Sequence, residues 1–489
     1  MSKSKKLYLC IMLIVIGILI IIIYPEVIKK KYNEKETLES LIAAYKSKTD
    51  KESTDDNINI WVPTNYMNNI GTLIENTFLI EDWLIPKSEL MSIELVTDVK
   101  LYESGCVMLT IIPENWNSAT LKINYDFSNV NKIAIALYVE DQYSLDYIKI
   151  QLTSELSKAN AENNWTKYFE TNNIYTSERL HTGWNFIIFH KNDFSNVGGD
   201  TWGVFRAFRI VSGVTSNKFD NAFGEANGEA VTKTKIGIGG IYLNPEHEKT
   251  KLLLSFDDSQ GSLFTNGFPY MKENGIKATL YVCRNHVSDI TPEEGYMSPE
   301  QHDEWYAAGY DIGCHSTTHE DMWYKTRDEL INEWDTVLKW VLKRGYERSA
   351  YFAAYPNAQY NGLEMEVLRE LGFKMARGRN IGLIDHIVSD EMLGYPTYEI
   401  KNTTTLETIK GWIDEAIEKN SDISIFTHAI VVSNPDTFST TTEIFYKMID
   451  YIAEKRALGL LEPVTISEYY EGLTNKTITI PNINITPAD

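Results

Sequence analysis

Cysteine is scarce in this chain and basic charge is in deficit. Four cysteines among 489 residues, none in CxxC spacing, exclude a zinc ribbon and a disulfide framework. Cys10 lies in an apolar block, and Cys283 and Cys314, each at the end of an expected strand, read as buried free thiols rather than a pair. Lys and Arg number 46 against 68 Asp and Glu, a net charge of −22. With no basic stripe, nucleic acid and other polyanionic partners are excluded, and a neutral or cationic substrate fits better. One long apolar run is present, at residues 7–24, preceded by Lys3, Lys5 and Lys6.

That run is long enough to cross a hydrocarbon core as a helix. A cleaved signal peptide is the alternative, but no small-residue cleavage pattern precedes Pro25. The reading is an uncleaved anchor over residues 1–25 and a charged stalk over 26–54. Lys29, Lys30 and Lys31 nearly balance the N-terminal lysines, so the charge count does not decide orientation. The downstream domains look extracytoplasmic, which implies a single-pass cell-membrane protein with its folded part outside. Oligomeric state is silent.

Residues 55–247 carry short alternating runs such as KIAIALYV, WNFIIFH and TKIGIGGIYL, separated by Asn, Gly and Ser. This predicts an all-β, jelly-roll-like sandwich. No Asp, His or Glu cluster with ligand spacing occurs there. The order of elements resembles carbohydrate-binding modules, and Trp184, Trp202, Tyr143 and Tyr147 are the aromatics that such a role would use, although core packing is the commoner fate of such rings. From residue 248 to 473 strands alternate with helices in about seven βα steps, which predicts a parallel sheet closed into a barrel. The tail, 474–489, is short and polar.

The stretch KLLLSFDDSQ, residues 251–260, sets two adjacent carboxylates, Asp257 and Asp258, at the end of an apolar strand. Like charges so placed need a cation, usually a metal. His315 and His319, four apart in GYDIGCHSTTHED, supply two imidazoles at another strand end. One Asp and two His leave coordination positions open for water and substrate, as catalytic sites do. His428 ends a third strand. Taken singly, each motif is also met as a solvated turn or a structural pair; order and strand-end placement together argue for a site. His286, His302 and His386 read as surface residues, while His181, His190 and His247 receive no role. Trp334 and Trp340 read as helix packing, and Ile425 and Phe426 as strand residues before His428.

SFDDSQ, HSTTH, FAAYP and IFTHAI, in that order, resemble the motifs of the polysaccharide deacetylase family, the NodB-homology domain of carbohydrate esterase family 4 type. The resemblance implies a deformed (β/α)7 barrel and metal-dependent removal of acetyl groups, mostly N-acetyl, from a polysaccharide. It implies Asp258, His315 and His319 as metal ligands, Asp257 as general base, His428 as general acid and a main-chain oxyanion donor near Asn357, with Tyr355 in the same motif. The ion is a divalent metal, zinc by prior, with cobalt or nickel also accepted by such a set. The sequence departs from the family at the fourth strand, where Ala353 and Ala354 stand in place of an Arg that pairs with the base; Arg377 and Arg379 are the candidates to replace it. An O-acetyl esterase and a catalytically silent glycan-binding envelope protein are the competing readings.

Overall fold

In the computed structural model, residues 67–474 are described apart from residue 70 and the stretches 87–90, 98, 100–105, 156–164, 176–179, 220–225, 248, 293–294, 379–380, 385–386 and 389–391. The anchor, the stalk, the tail beyond Thr474, Arg379 and His386 therefore lie outside the described residues. Among the described residues no helix is long and apolar enough to cross a membrane.

Period-two alternation in the first half produces two antiparallel sheets. One orders Phe194–Val197, Tyr168–Thr171, Leu145–Thr153, Val204–Val214, Glu114–Asp126 and Trp83–Leu84. The other orders Gly183–His190, Lys132–Val139, Thr234–Leu243, Cys106–Ile111 and Met91–Val96. Ile133, Ile135, Leu137, Phe205, Phe208 and Ile210 share the core between them, as two stacked sheets require. Trp202 belongs to this packing: its ring meets Phe169, Phe194 and Phe205 edge-on, and its Nε1–H donates to the Phe127 carbonyl at 2.7 Å.

The second half supplies strands β1 (Thr250–Asp257), β2 (Thr279–Val282), β3 (Asp311–Cys314), β4 (Phe352–Ala354), β5 (Met375–Arg377), β6 (Met392–Tyr395), β7 (Tyr398–Glu399), β8 (Ile423–Thr427) and β9 (Leu461–Val464). They form one parallel sheet in the order β6-β5-β4-β3-β2-β1-β8-β7, with β9 beside the start of β1. Helices α1 (Phe268–Asn274), α2 (Pro299–Ala307), α3 (Arg327–Lys343), α4 (Gly362–Glu370), α5 (Leu406–Lys419) and α6 (Thr442–Ala457) provide the outer layer. Leu252, Leu254 and Phe256 of β1 join their core with Trp334, Val337 and Val341 of α3. Residue parity then sends Leu253, Ser255 and Asp257 to the opposite, concave face.

The closed barrel expected from the strand count is not what forms. β6 and β7 are the two free edges of a curled half-barrel. The concave face is covered by the sandwich instead: Leu253, Tyr281, Phe352, Ala354, Met375 and Tyr395 share one buried cluster with Met108, Ala134, Ala136, Trp184, Phe186 and Tyr242. Trp184 is therefore spent on this contact, packed against Tyr138 at 5.6 Å between centroids. The chain between β5 and β6 also leaves the half-barrel, and its strand Ile387–Val388 adds to the sandwich edge strand Gly183–His190. Lys132 Nζ donates to the Asn420 carbonyl at 2.5 Å, and His190 Nε2 meets Ser421 Oγ at 3.2 Å across the same junction. Burying both faces of a sandwich sheet removes the need for the parallel sheet to close on itself.

Candidate active site

Because the strands of the half-barrel are parallel, their C-terminal ends share one rim. Asp257 and Asp258 end β1, His315 follows β3, Arg377 ends β5 and His428 follows β8. The turns that hold them are strained: Asp258, Ser259, Ser316, His319, Asn357 and Ala358 have φ of 65°, 52°, 62°, 60°, 54° and 54°. The other non-glycine residues in that region among those described are all Asn, the side chain that tolerates it best. Left-handed backbone at residues of other types costs on the order of 1–3 kcal/mol each and gathers at functional sites.

His315 is fully buried and its Nδ1–H donates to the Ala354 carbonyl at 2.7 Å. A carbonyl only accepts, so this bond fixes the tautomer and leaves the Nε2 lone pair facing the rim. Burial pushes its pKa down to about 4, with His319 pushing the same way against the pull of Asp257. The imidazole is thus neutral, as a ligand must be. Its Nε2 lies 3.9 Å from Asp258 Oδ1, and His319 Nε2 lies 3.5 Å from the same oxygen. The ligand atoms of Asp258, His315 and His319 fall within 4.8 Å of one another. Burial opposes ionisation of Asp258, yet the hydrogen bond from His286 and the nearby imidazoles hold its carboxyl well below the usual range. Two imidazole nitrogens and one anionic oxygen converge on one point, a donor set that fits a first-row divalent ion.

Asp257 is held differently. Its Oδ2 accepts from Arg377 Nη2, and Arg377 Nη1 donates to Ser255 Oγ at 2.9 Å. The guanidinium lies 3.9 Å from the centroid of Phe426, so that ring packs against a cation. Burial would raise the Asp257 pKa, but Arg377, His315 and His428 together bring it below the ordinary value. Its Oδ1 is buried with no hydrogen-bond partner among the described residues, an acceptor free to meet a proton brought by substrate or water. His428 Nε2 stands 3.9 Å from Asp257 Oδ2 and 3.8 Å from Asp258 Oδ2, beyond hydrogen-bond reach of either.

The remaining sequence candidates fall outside this group. Tyr355 is buried, stacks on Tyr360 and donates its hydroxyl to the Leu393 carbonyl at 3.0 Å, which removes the phenol from the rim. Asn357 sits exposed in the turn after β4. Cys283 and Cys314 are free and buried.

Sequence reading missed three supporting groups. His286, expected at the surface, has its Nδ1 2.9 Å from Asp258 Oδ1. Glu333 on α3 caps the HSTTH turn, accepting from Thr317 N at 3.1 Å, Thr318 N at 2.9 Å and Thr318 Oγ1 at 2.7 Å. A carboxylate three residues after Leu330 and four before Val337 lies on the apolar stripe of the helix, which was a legible signal. His302, also expected at the surface, is fully buried. Its Nδ1–H donates to the Ser298 carbonyl at 2.8 Å, so its Nε2, 3.0 Å from Ser259 Oγ, accepts.

Burial lowers the His302 pKa to about 4 from 6.5, which ties the turn after Asp258 to pH. Between those values the unfolded chain binds the extra proton and the folded chain does not. Its contribution is therefore complete above pH 6.5, fades as pH falls, and is gone below about 4. The window is worth on the order of 3 kcal/mol. His302→Gln is expected to flatten the acid limb of a denaturation-versus-pH curve, and an unchanged limb would rule out this origin.

A family model described as Polysaccharide deacetylase matches residues 244–376. No curated protein matches the chain. Among solved structures, the Streptococcus pyogenes deacetylase PplD in complex with acetate is 21% identical, with 33% of this chain and 69% of that one covered and a TM-score of 0.29. The Xyl-CE4 domain of a multidomain xylanase from the hindgut metagenome of Trinervitermes trinervoides is 18% identical, with 48% and 94% covered and a TM-score of 0.33. The family 4 carbohydrate esterase from Streptomyces lividans in complex with acetate is 16% identical, with 45% and 94% covered and a TM-score of 0.29. The family model thus places a polysaccharide deacetylase domain at residues 244–376, the stretch that holds β1 to β4 of the half-barrel.

Proposed function

We propose that the protein is a metal-dependent hydrolase that removes acetyl groups, chiefly N-acetyl, from a cell-envelope or extracellular polysaccharide, acting outside the membrane from an anchor at residues 7–24. The observation that carries this reading is the convergence of Asp258, His315 and His319 within 4.8 Å of one another, with Asp257 beside them. A divalent ion held by those three would polarise an acyl carbonyl and acidify a water.

The chain's own residues supply the rest. Asp257, kept ionised by Arg377, takes the proton from the attacking water through its unpartnered Oδ1. His428, on the same rim, gives a proton to the departing amine. A turn after β4 in left-handed backbone, at Asn357, is the position for a main-chain donor to the oxyanion. The interior of the half-barrel is packed by sandwich side chains together with Tyr469, Tyr470 and Leu473 of the helix Ile466–Thr474, so the rim is the side from which substrate enters.

Acetate release from N-acetylated oligosaccharides and from O-acetylated xylan, each with zinc, cobalt or nickel supplied, tests the proposal. Faster release from the N-acetylated series is expected. Release from xylan alone favours the esterase reading, and sugar binding without turnover under all three ions favours a silent binding protein.

A further inference from the structure

Asp258 and His319 belong to separate turns, and a third segment joins those turns. The loop that starts at Arg284 is bonded to the second of them, with Arg284 N donating to Ser316 O at 3.2 Å and Asn285 N to Thr317 O at 2.9 Å. Its far end is bonded to the first, with Met297 N donating to Ser259 O at 2.7 Å and Gly261 N to Gly295 O at 2.9 Å, and Gln260 bridging Tyr296. A Cβ on Gly261 would stand 2.4 Å from Gly295 O, so only glycine permits this approach. His286 projects from this loop. Its ring lies parallel to Tyr296, with centroids 4.6 Å apart and 11° between planes, and faces His319 at 5.4 Å and 27°. Its Nδ1 is 2.9 Å from Asp258 Oδ1, and because an ionised carboxylate only accepts, the Nδ1 carries the proton.

Resting on the reading of Asp258, His315 and His319 as the metal-holding group, we propose that His286 is a positioning residue for that centre. Its Nδ1–H fixes the Asp258 carboxylate, and the stack of Tyr296, His286 and His319 fixes the imidazole orientations that make this bond possible. His286 is not itself a ligand: the convergent group among the described residues comprises Asp258, His315 and His319. Histidine donating to a carboxylate that ligates an ion is the outer support on which metal sites depend for affinity.

Zn2+ affinity, measured by competition with a chromophoric chelator, and the visible spectrum of the Co2+-loaded protein test this in wild type, His286→Phe and His286→Asn. Phe keeps a ring and removes the donor; Asn keeps a donor near the Nδ1 position and removes the ring. His286→Phe is expected to lose about 10- to 100-fold in Zn2+ affinity and to change the Co2+ spectrum, while His286→Asn recovers most of the affinity. Thermal midpoints of the metal-free proteins report folding separately, and His286→Gln replaces the Phe variant should that one fail to fold, with a loss of affinity again expected because its amide is displaced from the Nδ1 position. Wild-type affinity and spectrum in the donor-deficient or displaced variant overturn the inference alone, as does an equal loss in the Asn variant. A wild-type chain that takes up neither ion overturns the reading of the metal-holding group itself.

Discussion

Replacing Asp258 by Asn, or His315 by Ala, is expected to abolish retention of a divalent ion and to reduce acetate release to background. The loss should exceed the roughly 10²- to 10³-fold that one electrostatic donor is worth, because the same substitution removes the Lewis acid and the source of the nucleophile together. Asp258→Asn is nearly isosteric, so its effect isolates the charge. His315→Ala also frees the Ala354 carbonyl, whose donor is His315 Nδ1 at 2.7 Å, and should cost some stability besides. Metal analysis after dialysis and an acetate assay measure the two losses independently. Full acetate release in either variant rejects the site. The complementary variant is Asp257→Asn, expected to keep the ion and lose the turnover, since Asp257 lies outside the convergent ligand group.

Substitution of Arg377 by Met should move the acid limb of the kcat/KM profile upward in pH. In the folded protein burial raises the Asp257 pKa and Arg377 is the largest opposing influence. With the guanidinium gone, the carboxyl holds its proton to higher pH, and a protonated base is inactive, so the rate is lost first at the acid end. Arg377 is 2% exposed and Asp257 is also 2% exposed. Removing one partner of a buried pair typically costs about 3–5 kcal/mol, visible as a lower thermal midpoint. Arg377→Lys keeps the charge but cannot hold both Ser255 and Asp257, so a smaller shift in the same direction is expected. An acid limb that coincides with wild type in Arg377→Met would show that Asp257 is not the titrating base.

The contrast between these residues shows what a sequence can disclose. Asp257, Asp258, His315, His319 and His428 were legible because chemistry restricts them to strand ends in a fixed order, and the structure gathers them on one rim. Strands Lys132–Val139 and Thr234–Leu243 carry the bounds that alternation predicts. Arg377 was legible only as one of two cations near a rim, because pairing across 120 residues depends on the curl of a sheet and not on spacing. His286 and His302 were hidden for a related reason: a histidine in a loop or on a short helix looks alike whether that segment faces water or is tied to a ligand turn. The half-barrel's open side was hidden too, although a signal existed. WNFIIFH and KIAIALYV are apolar at both parities, and an antiparallel sheet with one face in water would not be. Reading them as half-buried strands left their second face without a purpose.

That second face bears on how the polypeptide can be dissected. The sandwich sheet supplies the wall that the parallel sheet does not make, and Ile387–Val388 crosses back to complete it. Neither half is a cassette: grafting the hydrolytic half onto a different targeting module would uncover Tyr281, Phe352 and Met375 just beneath the rim, where Arg377 is seated.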